Sequence, residues 1–131
     1  ILGTLFFSCK RLTFENDPKT YVKDHYNKEE VTITMRDGIK LHTTIYSPKD
    51  KSKDYPILLQ RTPYSSRPYG ADKFKKNIGP NKIMMKEGYI VVYQDVRGRW
   101  MSEGTYDNMR PYISNKKDSS QIDESSDTYD S

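Results

Sequence analysis

The chain has 131 residues, 34% of them hydrophobic and 31% charged, which suits one modest domain or a part of something larger. Its formal charge of +4 comes from Lys and Arg interleaved with acids instead of gathered into a stripe, which argues against nucleic acid as a partner. The single cysteine, Cys9, excludes an internal disulfide and a cysteine-based metal site.

Residues 1–9, I-L-G-T-L-F-F-S-C, read as the end of a signal peptide. Ser8 stands directly before Cys9 as at a bacterial lipoprotein cleavage site, which would make Cys9 the lipidated residue. The expected location is then the bacterial cell envelope, periplasmic or lipid-anchored, with the membrane touched only through that anchor. The stretch is too short to span a bilayer; the alternative is a short core strand holding a buried thiol. Residues 10–29 lack clean periodicity and read as a tether that contributes nothing to a core.

From Val31 the pattern alternates. V-T-I-T-M-R, the turn Asp37-Gly38 and I-K-L-H-T-T-I-Y predict a β-hairpin, with Val31, Ile33 and Met35 on one side and Ile39, Leu41, Thr43 and Ile45 paired onto it. Ser47 to Pro56 is a surface connection. Ile57 to Gln60 predicts a buried strand, and Pro63 and Pro68 then stiffen the loop that carries Tyr64. Ala71 to Lys76 and Ile83 to Lys86 read as short helical pieces separated by Gly79-Pro80, with Phe74, Ile78, Met84 and Met85 as core residues. After Gly88 the apolar run Tyr89 to Tyr93 predicts a strand covered on both faces. The loop that follows holds Asp95, Arg97, Gly98, Arg99, Ser102, Glu103 and Gly104 at the strand's carboxyl end, where open α/β sheets carry ligand sites. The segment Asn115 to Gln121 is irregular, and a helix starts around Asp123. The fold class is α/β, a hairpin followed by strand-helix-strand of a mostly parallel sheet.

Spacing alone does not name a reaction. Ser65 and Ser66 lack the flanking glycines of a Gly-x-Ser-x-Gly elbow, and Ser102 has Gly104 after it but Trp100 before it. His25 and His42 are poor general bases by position, and neither a metal-ligand cluster nor a phosphate-binding glycine loop is present in the sequence.

Four segments in order, M-R-D-G-I-K-L-H-T-T-I-Y-S-P, Y-P-I-L-L-Q-R-T-P-Y, M-K-E-G-Y-I-V-V-Y-Q-D-V-R-G-R-W-M-S-E-G and D-E-S-S-D-T-Y-D, resemble the amino-terminal part of the X-Pro dipeptidyl-peptidase family. That family includes cocaine esterase and the α-amino acid ester hydrolases. The resemblance implies an α/β-hydrolase fold over residues 30–131, incomplete here, and a serine hydrolase acting on a small acyl ester, amide or peptide without metal or cofactor. Its Ser-His-Asp triad would lie downstream, so this polypeptide is expected to be inactive alone. The resemblance also implies that Tyr64 donates to the oxyanion hole, and it places Asp95, Arg97 and Arg99 beside the nucleophile strand. We read these three as bracing the site's loops, and Trp100 as either lining the acyl pocket or anchoring the packing. Two rival readings stay open: a surface-tethered binding module whose aromatic face is Tyr64, Tyr69, Trp100 and Tyr106, and an inactive truncated product.

Overall fold

The computed structural model describes residues 20–131. Cys9 and the signal-peptide reading lie outside them. Among the described residues no helix is long and apolar enough to cross a membrane.

The elements run α1 (Tyr21–His25), β1 (Tyr26–Thr34), β2 (Lys40–Pro48), β3 (Ile57–Thr62), α2 (Lys82–Glu87), β4 (Ile90–Asp95) and α3 (Glu124–Asp130). The strands form one mixed sheet in the order β1-β2-β4-β3. The expected hairpin is present: β1 and β2 are antiparallel with Ile33 opposite Leu41 and Val31 opposite Thr43. Gly38, at φ 86, takes the left-handed position that the tight turn requires. β3 and β4 are parallel, with Ile57 opposite Ile90 and Leu59 opposite Val92. α2 follows from its caps. Asn81 accepts a hydrogen bond from the Met84 amide at 2.9 Å, and Gly88 closes the helix in the left-handed conformation at φ 90.

Several expectations change. The residues from Tyr21 onward are no tether, because α1 and the start of β1 insert Val22 and Tyr26 into the core, each 1% exposed. Ala71 to Lys76 form turns and bends, not a helix. The eight residues between Gly70 (φ 105) and Gly79 (φ 69) are flanked on both sides by left-handed backbone, and Phe74 and Ile78 reach the core from irregular chain.

That core lies on one face of the sheet. Val22, Tyr26, Tyr46, Ile78, Met85, Val91 and Tyr93 pack together, and burial of a side chain such as Val91 or Met85 stabilises by about 2 kcal/mol. The tyrosine hydroxyls are all used: Tyr26 donates to the Met85 carbonyl at 2.6 Å, while Tyr46 and Tyr93 accept from the amides of Lys75 and Gly79. Burial pushes the Tyr26 and Tyr46 phenols up to about 12.

The opposite face is covered only at its carboxyl end. There α3 packs through polar contacts, while Ile33, Ile45, Ile57, Leu59, Ile90 and Val92 line an open groove. Ile57 is 66% exposed. The strand expected to be covered on both faces is therefore covered on one, since no described element lies over Ile90 and Val92.

Candidate active site at the carboxyl end of the central strands

β3 and β4 end side by side, and the loops after them meet. The Val96 amide donates to the Thr62 carbonyl at 3.2 Å, continuing the parallel pairing one step past the strands. From this junction the chain runs one way into Pro63-Tyr64 and the other into Arg97-Gly98-Arg99-Trp100.

Asp95 holds the two loops together. It is fully buried, accepts from the Ser66 amide at 2.6 Å and from the Tyr69 hydroxyl at 2.7 Å, and accepts a longer bond from the Met101 amide. A carboxylate placed so deep persists only with its lone pairs filled. Burial, and then the adjacent Asp95 carboxylate, raises the Tyr69 phenol and keeps it a donor. Of the four aromatics assigned to a recognition face, Tyr69 thus has its hydroxyl committed inward.

Tyr64 itself is 85% exposed. Its amide donates to Thr62 Oγ1 at 3.0 Å, and its phenolic oxygen makes no hydrogen bond among the described residues. The backbone beside it is fixed on both sides. The Pro63 carbonyl accepts from Trp100 Nε1 at 2.9 Å and from Arg99 Nε at 3.2 Å, while Ser65 sits at φ 101, where non-glycine residues rarely go. A donor with an uncommitted hydroxyl stands on anchored backbone.

Arg97 points away from Tyr64. It is 4% exposed and forks between Asp37 of the hairpin turn (2.7 Å) and Asp127 of α3 (2.6 Å). Burial works against its charge, but the hydrogen bonds that it donates to Asp127 and Asp37 outweigh that and raise its pKa. Arg61 repeats the pattern from β3, donating to Gln94, to the Glu124 carboxylate at 2.8 Å and to Asp127. α3 is held at its start by a capping box, in which the Ser126 amide donates to Asp123 Oδ1 and the Asp123 amide donates to Ser126 Oγ. Asp123 also accepts from the Ile113 amide and Lys116 Nζ; although burial opposes ionisation, these bonds hold its carboxyl well below the ordinary range.

Gly98 closes the loop on itself. At φ 70 its amide donates to the Glu103 carbonyl at 2.8 Å, and a Cβ there would fall 2.1 Å from the Tyr106 amide nitrogen. Ser102 ties the far end of the loop to the sheet, donating to the Asp95 carbonyl and accepting from the His42 amide.

The sequence-expected residues therefore divide. Tyr64, Asp95, Arg99 and Trp100 converge, with Asp95 and Arg99 on the backbone that presents Tyr64. Arg97 belongs to the α3 network. Residues not singled out beforehand include Arg61, Asp127 and Lys28, while Tyr69, read only as part of an aromatic face, serves Asp95. The ammonium of Lys28 is buried on β1 and donates to Glu30 and to the carbonyls of Pro68 and Gly70, pinning the end of the Tyr64 loop. The Asp123, Asp127 and Asp130 spacing was the available signal for the α3 network; Lys28 carried none.

Neither imidazole hydrogen-bonds a serine among the described residues: the His42 ring is buried near Thr44 and edge-on to Tyr69, and the His25 ring stacks on Tyr21. Among the described residues no three His, Cys, Asp or Glu side chains gather as a metal site.

Comparison with known proteins places this geometry. Residues 37–130 match the profile of the X-Pro dipeptidyl-peptidase (S15 family). Cocaine esterase from Rhodococcus sp. (strain MB1 Bresler) is 36% identical over 78 residues, which are 58% of this chain and 13% of that protein. An aminopeptidase from the marine sediment archaeon Thaumarchaeota archaeon superimposes with a TM-score of 0.66 at 34% identity, over 94% of this chain and 20% of its own. An α-amino acid ester hydrolase does so with a TM-score of 0.64 at 33% identity, over 96% and 21%. The chain thus spans about a fifth of the structures it matches. It belongs to the X-Pro dipeptidyl-peptidase (S15) family and forms an amino-terminal part of that family's α/β-hydrolase fold.

Proposed function

We propose that this chain supplies the oxyanion-binding side of a serine hydrolase that cleaves ester or amide bonds through an acyl-enzyme. The observation that carries the reading is Tyr64, whose hydroxyl is uncommitted while its backbone is held by Thr62, Trp100 and Arg99. In acyl transfer, charge concentrates on the former carbonyl oxygen as the tetrahedral intermediate forms. A donor already fixed there stabilises that charge without reorganising. The nucleophile, base and orienting carboxylate come from the rest of the protein, so residues 1–131 alone are not expected to turn over substrate.

The test is Tyr64→Phe in the full-length protein with p-nitrophenyl acetate as substrate. The expected result is a fall in kcat of about a hundredfold or more, with KM and melting temperature little changed. Turnover that matches the unsubstituted protein would remove Tyr64 from the site.

A further inference from the structure

Arg67 and Arg99 stand apart from the other arginines of the described residues. Arg36, Arg61, Arg97 and Arg110 each lie within ion-pair distance of a carboxylate. Arg67 and Arg99 have no such partner among the described residues. Both instead lie against Trp100, with guanidinium carbons 4.7 and 5.6 Å from its ring centre, and Arg99 also covers Tyr106 at 4.9 Å.

Stacking on an aromatic face orients a guanidinium but leaves its charge and in-plane donors unspent. Arg67 makes no side-chain hydrogen bond among the described residues, and Arg99 commits only Nε, to Pro63. Trp100 is itself held in an unfavourable way. Its φ of 53 is strained for a bulky residue, yet it keeps 48% of its surface exposed. Such strain persists where surrounding contacts over-determine it, and it gathers at ligand-binding positions. Here the contact is the bond from Trp100 Nε1 to Pro63, the residue directly before Tyr64.

We infer that Arg67, Trp100 and Arg99 form a subsite for a substrate carboxylate carried on an aromatic or apolar body, beside the scissile carbonyl held at Tyr64. This rests on the hydrolase reading. The chemistry fits because a guanidinium presents paired donors that match a carboxylate, and the exposed indole receives the apolar part. Two uncompensated cations at one corner also raise the local concentration of anions, an effect that salt weakens.

The experiment uses the full-length protein in two arms. The first measures binding of benzoate by calorimetry to the unsubstituted protein and to Arg67→Ala and Arg67→Glu, with melting curves to check the fold. The second compares kcat/KM for 4-acetoxybenzoate and its methyl ester, each divided by its rate of alkaline hydrolysis. The expected result is benzoate binding that weakens about tenfold in Arg67→Ala and further in Arg67→Glu, and that fades as salt rises toward about 0.5 M. The charged ester should be preferred about tenfold at low salt, with the preference falling toward one in Arg67→Ala. Equal benzoate binding by folded protein and variants, or none at all, overturns the subsite, as when a carboxylate elsewhere in the protein already occupies the two arginines. Benzoate binding that depends on Arg67 while neither ester turns over keeps the carboxylate site and overturns the hydrolase reading instead.

Discussion

Two corners of this molecule use arginine in opposite ways. At the α3 corner, Arg36, Arg61 and Arg97 meet Asp130, Glu124 and Asp127, and every charge is answered within the fold. At the Tyr64 corner, Arg67 and Arg99 meet aromatic rings and, for Arg99, the Pro63 carbonyl, but no carboxylate among the described residues. The two corners are neighbours in sequence, since Arg97 and Arg99 are separated by Gly98 alone, so residue type does not decide the role. What decides it is whether a carboxylate is delivered to the same place: α3 brings three, and the Tyr64 loop brings none. Asp95, the one carboxylate between the corners, is consumed by Ser66 and Tyr69.

The sharpest way to break this contrast is to orphan a charge at the α3 corner. Asp127→Ala leaves Arg97 buried with half its partners and should cost about 3–5 kcal/mol, read as a lower urea midpoint with an unchanged slope. A loss below about 1 kcal/mol would mean that the α3 corner is no more committed than the other. Asp95→Ala should cost less, about 2–3 kcal/mol, because it removes hydrogen bonds to a buried amide and a phenol without stranding a second charge. Its Tyr64 loop should loosen, seen as faster hydrogen exchange at Ser66. Acid provides a gentler probe. Hydrogen bonds from Arg36 hold the Asp130 carboxyl below its ordinary 3.8. The stability it contributes is therefore fully present above pH 3.8 and disappears as pH falls through the lowered value. An Arg36→Ala protein should lack that part of the acid limb; an identical limb in a pH-resolved melting series would contradict the pairing. Arg67→Ala, at the bottom of the series, should leave the melting temperature within about a degree of the unsubstituted value, since only an exposed contact with the Trp100 ring is lost.

Much of the fold could be read in advance because its signals are local. The Asp37-Gly38 turn, the Asn81 and Gly88 caps and the Asp123 start of α3 depend on residues within a turn of one another. The misreadings share a different origin. On β1 the core-facing residues after Tyr26 are Lys28 and Glu30, so the strand's inner face reads as polar, and Lys28 is tolerated there only because carbonyls forty residues away accept its protons. No periodicity reports such a partner. The acidic spacing of D-E-S-S-D-T-Y-D was visible, but it did not single out Asp127, whose weight comes from two arginines brought to it by β3 and by the loop after β4. At the site, although Asp95 proves to be the last residue of β4 and not the first of the loop, Tyr64 on its loop and Asp95 at the carboxyl end of the strand were legible. The backbone strain at Ser65 and Trp100 was not, because neither residue type advertises a positive φ.

The crossing at Gly98 has a consequence for how this corner tolerates sequence change. Because the Tyr106 backbone fills the place of a Cβ, any side chain at Gly98 would collide with main chain that cannot rotate aside. The next three residues, Arg99 to Met101, carry partly or well exposed side chains above that closure. A saturation library across 97–106 should therefore be nearly empty of folded variants at Gly98 and well populated at Met101. Variation in this loop is channelled to its outer rim beside Tyr64, where a new side chain alters what the site meets without reopening the loop that supports it.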